Sequence, residues 1–318
     1  MVTNVYNTTK DILDAALFDA SERDDGSSDY AGNALRYLNQ TYFDILNSSG
    51  VFFDGINPLK HDWPFLIKEG YIILEPRISI GTVSVTSGSS TVIFSNPPSF
   101  SVKGWNFKVY GNDEMFTISS HTAGSNTAIL DSVYVGGDSS ISASYLLFKT
   151  DYDLPSDFKK FVGPLWADNL IVPNGGLKGI ELEEFNLRNR LNSITLEVPT
   201  EFAFLHNEKI RFNCAGSLSG ERRRIKFRYV FSPPLLQNTT GEEPVIPVEY
   251  RSILAHGTTY FILLSKNDDR SLVYYKMAQT KLMNMIDDYR STVYNSADFL
   301  LSGKRAGGRV VSSSGVIF

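Results

Sequence analysis

Two apolar stripes separated by a short polar turn, between Pro247 and Tyr289, constrain this chain most. Pro247 has the fixed φ that suits a first helical turn. Ile253, Leu254, Phe261 and Leu264 then recur at helical spacing, and Tyr275, Ala278, Leu282, Met285 and Tyr289 follow at steps of three and four. Asn267, Asp268 and Asp269 supply the turn between them and a candidate N-cap. Two helices cannot bury such stripes by themselves, so another part of the chain must pack on them. The other strong helical patterns are N-terminal. Thr8 followed by Asp11 resembles a capping box, and Ile12, Leu13, Ala16, Leu17 and Ala20 form a stripe behind it. A second pattern turns Ala34, Leu38, Tyr42, Ile45 and Leu46 inward and stops at Asn47-Ser48-Ser49-Gly50, a C-cap-like sequence. The expected core is a discontinuous helical bundle, made from residues 1–70 and completed by a hairpin over 247–292.

Between these ends the texture is β. Phe52-Phe53 and Asp62-Trp63-Pro64-Phe65 form an aromatic strip placed between the helices and the first strand. From about Tyr71 short strands are expected at Thr82–Thr86, Thr91–Phe94, Phe107–Val109, Met115–Ile118, Thr127–Leu130 and Ser144–Phe148, with turns at Ser87-Gly88-Ser89-Ser90, Gly111-Asn112-Asp113, Gly124-Ser125-Asn126 and Gly136-Gly137-Asp138. This spacing suggests a small β-sandwich or barrel inserted over 71–150. Residues 151–246 read as a further β region with short helices. Asp151 to Phe158 is expected as a strand end and a helix start around Pro155, capped by Ser156 or Asp153. A short helix is placed at Gly179–Asn192, and strands at Ile194–Val198, Lys209–Cys214 and Arg222–Phe231. A polar linker, Asn238–Pro244, leads to the C-terminal helices, and 293–318 is an extended, basic, Gly- and Ser-rich arm. The fold class expected is α+β.

Bulk properties narrow the function. The 318 residues are 42% hydrophobic, enough for a large core. A formal net charge of −5 argues against a protein coated in positive charge for nucleic acid. One cysteine, Cys214, excludes an intrachain disulfide framework and a cysteine-rich metal site. The start lacks a secretory pattern and no run approaches the length of a membrane span, so the expectation is a soluble protein made in a reducing cytosol. No phosphate loop, Gly-x-Ser-x-Gly elbow or His-Glu-x-x-His motif occurs, and His61, His121, His206 and His256 are scattered. No cofactor, metal or catalytic residue is expected. Asp151, Asp153 and Asp157 are the tightest carboxylate group, read either as a metal or acid/base site or as caps around Pro155. Glu181, Glu183 and Glu184 read as a solvated helix face.

The strand at Arg222–Phe231 is more informative. With a period of two, Arg222, Arg224, Lys226 and Arg228 share one face, and Ile225, Phe227, Tyr229 and Phe231 the other. Three readings stand for the cationic face: a solvated strand with local acidic partners, an interface with a neighbouring subunit, or a surface passed by DNA phosphates. The arm carries Lys304, Arg305 and Arg309, with Val310, Val311, Val316, Ile317 and Phe318 at its end. It reads as a segment that orders on a partner by adding a strand or filling a groove.

Leu35-Arg36-Tyr37-Leu38-Asn39 leads to Asp62-Trp63-Pro64-Phe65, the β segment closes on Asp151-Tyr152-Asp153-Leu154-Pro155-Ser156-Asp157-Phe158, and Pro247-Val248-Glu249-Tyr250 starts a helix followed by Tyr274-Tyr275 and Leu282. On these residues the chain, from about Leu35 to Tyr289, resembles the head-to-tail adaptor (tail tubular, or connector ring) proteins of short-tailed bacteriophages. The segment from Ile78 to Phe148 looks like β modules of phage virions, as at Ser119-Ser120-His121-Thr122-Ala123-Gly124-Ser125. The resemblance implies a ring, usually of twelve copies, at the head-tail junction of the virion. Such a ring docks under the portal protein, carries the tail nozzle, and passes viral DNA during ejection. It implies no cofactor and no chemistry. It implies that helical bundles form the ring wall and that a C-terminal extension, here about Tyr294–Phe318, reaches the portal, with Lys304, Arg305, Arg309, Val316, Ile317 and Phe318 as the binding arm. The β insert exceeds a minimal adaptor, so contacts to tail fibres are a further expectation. Two alternatives remain. One is a peripheral tail protein whose insert binds a fibre or a host glycan through Trp105, Phe107, Tyr110 and Tyr134, residues that also suit a barrel core. The other is a hydrolase using Asp151, Asp153 or Asp157.

Overall fold

The computed structural model describes residues 6–21, 29–57, 62–136, 140–167, 176–189, 196–206, 208–239 and 241–290, with 29–31, 140 and 206 as backbone only. The expected arm, including Lys304, Arg305, Arg309, Val316, Ile317 and Phe318, lies outside the described residues. The fold is α+β, with helices α1 (Thr9–Asp19), α2 (Asp29–Leu46), α3 (Leu182–Arg188), α4 (Ser252–Ser265) and α5 over 271–290. It divides into two compact units, one from the two chain ends (Met1–Leu66 and Pro233–Phe318) and one from the middle (Ile67–Ser232).

The first unit is organised on α4, whose residues from Ile253 to Thr259 and from Phe261 to Leu263 are nearly all buried. It lies against α1 and α2. Thr259 Oγ1 donates to the Ala16 carbonyl at 3.3 Å, and Gly257 leaves room for Thr41 of α2. The Thr8–Asp11 capping box forms as expected, with both reciprocal hydrogen bonds in place. The inward stripes of α1 and α2 are buried as read, from Ile12 to Ala20 and from Ala34 to Leu46. Helix α2 ends through Ser48, which takes the left-handed conformation while Ser49 N–H returns to the Asp44 carbonyl at 2.9 Å. The aromatic strip completes this core. Phe52 meets Tyr260 and Phe261 edge-on and stacks on Tyr275, and buried Trp63 donates from Nε1 to the Ile45 carbonyl at 2.8 Å. Asn39 both donates to and accepts from the Leu236 backbone, at 2.9 and 2.8 Å, just before the expected linker, and within the linker Thr9 N–H donates to the Glu242 carbonyl at 2.8 Å.

The middle unit opens with β1 (Ile67–Leu74). An insert follows: β2 (Val83–Val85), β3 (Thr91–Phe94), β4 (Asn106–Val109), β5 (Phe116–His121), β6 (Thr127–Leu130), β7 (Ser140–Ala143) and β8 (Tyr145–Phe148). These pair antiparallel in the order β7-β2-β3-β6-β5-β4-β8 around one aromatic core, in a barrel-like curl. Its ends meet, since Ile78 and Leu147 exchange backbone hydrogen bonds. The chain continues through β9 (Asp151–Asp153), β10 (Phe158–Phe161), β11 (Trp166–Ala167), β12 (Lys178–Gly179), α3, β13 (Glu201–His206), β14 (Lys209–Phe212) and β15 (Arg223–Phe231). One sheet has the order β1-β15-β10, with β11 also on β15; the other is β12-β13-β14-β9.

These two sheets pack face to face. Phe158 and Phe161 of the first meet Phe202 and Phe204 of the second, with Phe161 also edge-on to Phe227. Gly70 sits on this inner face, where an added Cβ would lie 2.7 Å from the Phe227 ring. Helix α3 covers the other side of β13, burying Phe185 and placing Arg188 and Asn189 on Glu201. The result is three layers: sheet, sheet, helix.

Three expectations are corrected. No helix starts after Pro155; Phe158 N–H closes a turn on the Pro155 carbonyl and the chain enters β10, because pairing with β15 satisfies its backbone. Leu196–Val198 is irregular, and the strand begins at Glu201. Tyr71 lies inside β1, which belongs with β15 and not with the insert that follows it.

Candidate functional site

The outer face of the β1–β15–β11 sheet gathers exposed cations and aromatic groups. Alternation along β15 works as expected. Ile225, Phe227, Tyr229 and Phe231 are buried, while Arg224, Lys226 and Arg228 are exposed. Register then decides their neighbours. Lys226 lies opposite Tyr71 on one side and Trp166 on the other. Arg224 lies opposite Ile73, and its guanidinium stands 4.7 Å above the Tyr71 ring centroid. Arg228 lies opposite Glu69. Tyr71 is 58% exposed and Trp166 40%, large values for aromatic side chains on a regular sheet. The surface is therefore a row of cations edged by exposed aromatic and aliphatic groups.

Arg222 departs from the expected row of four. It precedes β15, and its Nε donates to Glu75 Oε2 at 3.0 Å. Its charge is met locally, whereas Arg224 leans on a ring. Tyr71, Ile73 and Trp166 were not read from the sequence as members of this face. Only the pairing of β1 and of two-residue β11 with β15 brings them there.

Behind the face lies a partly buried charge cluster that spacing did not reveal. Arg77 Nη2 is 3.2 Å from Glu197 Oε1, and Arg223 Nη2 is 3.6 Å from Glu197 Oε2. Arg77 is nearly fully enclosed, and among the described residues its Nε and Arg223 Nη1 find no hydrogen-bond partner. Two guanidinium groups thus share one carboxylate, which ties the loop after β1 to the start of β15 and the segment before β13.

The three aspartates of the carboxylate cluster do not converge. Asp151 receives Arg211 through two bonds of 2.7 and 2.8 Å, Asp153 faces Lys209 at 3.7 Å, and Asp157 receives Lys68 and the Tyr229 hydroxyl. Each has its own cationic partner. Among the described residues no three His, Cys, Asp or Glu side chains are grouped to hold a metal ion. His121 is fixed in the insert core, accepting Val102 N–H at Nδ1 and bonded through Nε2 to the Ser125 carbonyl. Cys214 is buried, and that burial pushes its thiol up to about 12, away from nucleophilic use. The sugar-stacking candidates Trp105, Phe107 and Tyr134 lie in the insert core, which leaves Tyr110 as the exposed one.

A second exposed surface lies on the outer side of α5. Leu272, Val273, Met277 and Met283 are exposed there, and Val273, Lys276, Met277, Thr280 and Lys281 line, with His256 of α4, an open groove of about 380 Å³. No helix of the described residues is long and apolar enough to cross a membrane. No protein-family model matches the chain, and no curated protein is significantly similar to it.

Proposed function

We propose that this chain is a structural subunit of a bacteriophage virion: a head-to-tail connector that assembles as a ring, joins the portal to the tail, and surrounds the DNA exit channel. The observation that carries the reading is the exposed sheet face of Tyr71, Trp166, Arg224, Lys226 and Arg228. Aromatic and arginine groups in one patch are the residues that anchor protein interfaces. The apolar outer side of α5 supports the same reading, as does a helical unit interrupted by a β unit within one chain. In this proposal the bundle of N- and C-terminal helices forms the ring wall, and the arm over 293–318 reaches the portal. Ring closure needs a heterologous interface, one surface meeting a different one on the neighbour. The insert remains available for tail fibres, although burial of Trp105, Phe107 and Tyr134 removes most of the surface a sugar would stack on.

Negative-stain imaging of the purified protein with the portal of the same genome tests the proposal. Closed rings stacked coaxially on portals are expected, and they give the copy number directly. Bare portals beside free protein would refute it. Deleting 303–318 is expected to weaken portal docking while leaving the fold unchanged.

A further inference from the structure

We propose that the three-layer stack of the middle unit docks front to back on a second copy of this chain, with the outer side of α3 seated on the cationic, aromatic face of β1, β15 and β11. This names the ring contact that the connector reading requires, and rests on that reading.

The two surfaces lie on opposite sides of one stack. Phe158, Phe161 and Phe227 of the first sheet meet Phe202 and Phe204 of the second, so the far side of the first sheet is the cationic face. The far side of the second sheet is covered by α3, because Arg188 and Asn189 reach Glu201 there. A copy that binds in front therefore leaves its own back open for the next copy. That is the condition for a ring or a filament, and it excludes a closed two-fold pair through these surfaces.

Their chemistry is complementary. On α3 Glu183 lies one turn before Leu187, which is 81% exposed, and the N-cap residue Glu181 is exposed at the start of the helix. The sheet face offers Arg224 and Arg228 for carboxylates, and Tyr71 and Trp166 for an aliphatic side chain. Arginine binds carboxylate in a planar fork, and burying Leu187 between rings removes apolar surface from water on both copies. The chain as a whole carries a formal net charge of −5, so the cationic face is an exception within an acidic molecule and finds its complement on another copy. Glu69 lies on the same face opposite Arg228.

Sedimentation velocity of the full chain at low salt and high concentration tests the contact. The wild type is expected to sediment faster than a monomer. Arg224→Glu with Arg228→Glu, and separately Glu181→Lys with Glu183→Lys, should each weaken self-association by about tenfold or more. Mixing the two charge-reversed proteins should restore it, because each reversed surface then meets an opposite charge. Leu187→Asp should weaken association without altering the melting curve. All five positions are exposed or half-exposed surface sites, so circular dichroism should report an unchanged fold.

A wild type that remains monomeric overturns the proposal, as does a reversal that leaves association intact. Loss of binding to a fluorescent single-stranded oligonucleotide in Arg224→Glu/Arg228→Glu, with self-association unchanged, assigns the face to nucleic acid and equally overturns it. Imaging the same variants on the portal separates the two hypotheses. Rings that persist with either surface reversed refute this contact and leave the connector standing, whereas wild-type protein that forms no rings on the portal refutes the connector itself.

Discussion

Glu197 is the counter-ion of two arginines, and removing it has consequences that its own partial exposure hides. Arg77 is nearly fully enclosed and Arg223 largely so. Breaking a buried pair from one side leaves an uncompensated charge, which is worse than losing an exposed bridge. Glu197→Gln is therefore expected to cost about 2 kcal/mol or more in urea unfolding, and more than Lys10→Ala, which breaks the exposed Lys10–Asp14 pair and should cost less than about 1 kcal/mol. Asp157 gives a pH test. Burial alone would raise its carboxyl, but hydrogen bonds from Lys68 and the Tyr229 hydroxyl outweigh burial and hold it below the ordinary aspartate value. The unfolded chain then takes up the proton more readily than the folded one. The contribution is fully present above the ordinary pKa of about 4 and is lost as pH falls from there through the folded value. Asp157→Asn should be less stable than wild type at neutral pH, with a gap that narrows below about pH 4. A gap that is constant with pH would show that the charge on Asp157 contributes nothing.

At the scale of elements, Gly257 tests how α4 meets α2. In an ordinary helix interior Gly→Ala gains about 1 kcal/mol. Here the new Cβ would lie 2.4 Å from Thr41 Cγ2, so Gly257→Ala should instead destabilise by about 1–3 kcal/mol, with part of the loss recovered by Thr41→Ala in the same chain. Denaturant midpoints of the single and double variants decide the matter. The stripes that built this packing were legible because each helix carries its own period of three and four, from Ile12 to Ala20 and from Ala278 to Ile286. The alternation of β15 was legible for the same reason. What failed was local too. Phe158 and Phe161, three apart with lysines between, imitate a helical face. A register shift between Phe158 and Lys160 on β15 instead turns both rings to the same side of a strand, 4.7 Å apart. The cationic face was half legible. Its charges follow one another along β15, but Tyr71 and Trp166 come from strands whose register is set by long-range pairing, which no spacing within one segment encodes.

At the scale of the whole molecule, the discontinuous first unit and the continuous second one imply different dependence on the rest of the chain. The middle unit begins at Ile67 and ends at Ser232, and Ile67 lies opposite Val230 across the β1–β15 ladder. Its two ends thus emerge side by side at one end of a sheet, the geometry in which a domain can be inserted into another without strain on either. Its layers bury Ile72, Leu74, Phe202, Phe212, Ile225 and Phe227 within the unit, and the insert has a core of its own around Phe107, Phe116 and Tyr145. Residues 67–232 expressed alone are therefore expected to fold, with a cooperative melt and a β-rich far-ultraviolet spectrum. The first unit has no such independence at its halves. Helix α4 lies against α1 and α2, which precede the middle unit in the sequence whereas α4 follows it. Truncation before 233 should leave α1 and α2 without the surface that buries Leu13, Leu17, Leu38 and Tyr42. The predicted signature is a chain that keeps the melt of residues 67–232 while its N-terminal segment becomes sensitive to protease. A truncated chain whose N-terminal segment stays protected would show that α1 and α2 bury their stripes without α4, and would remove the physical reason for the discontinuous unit.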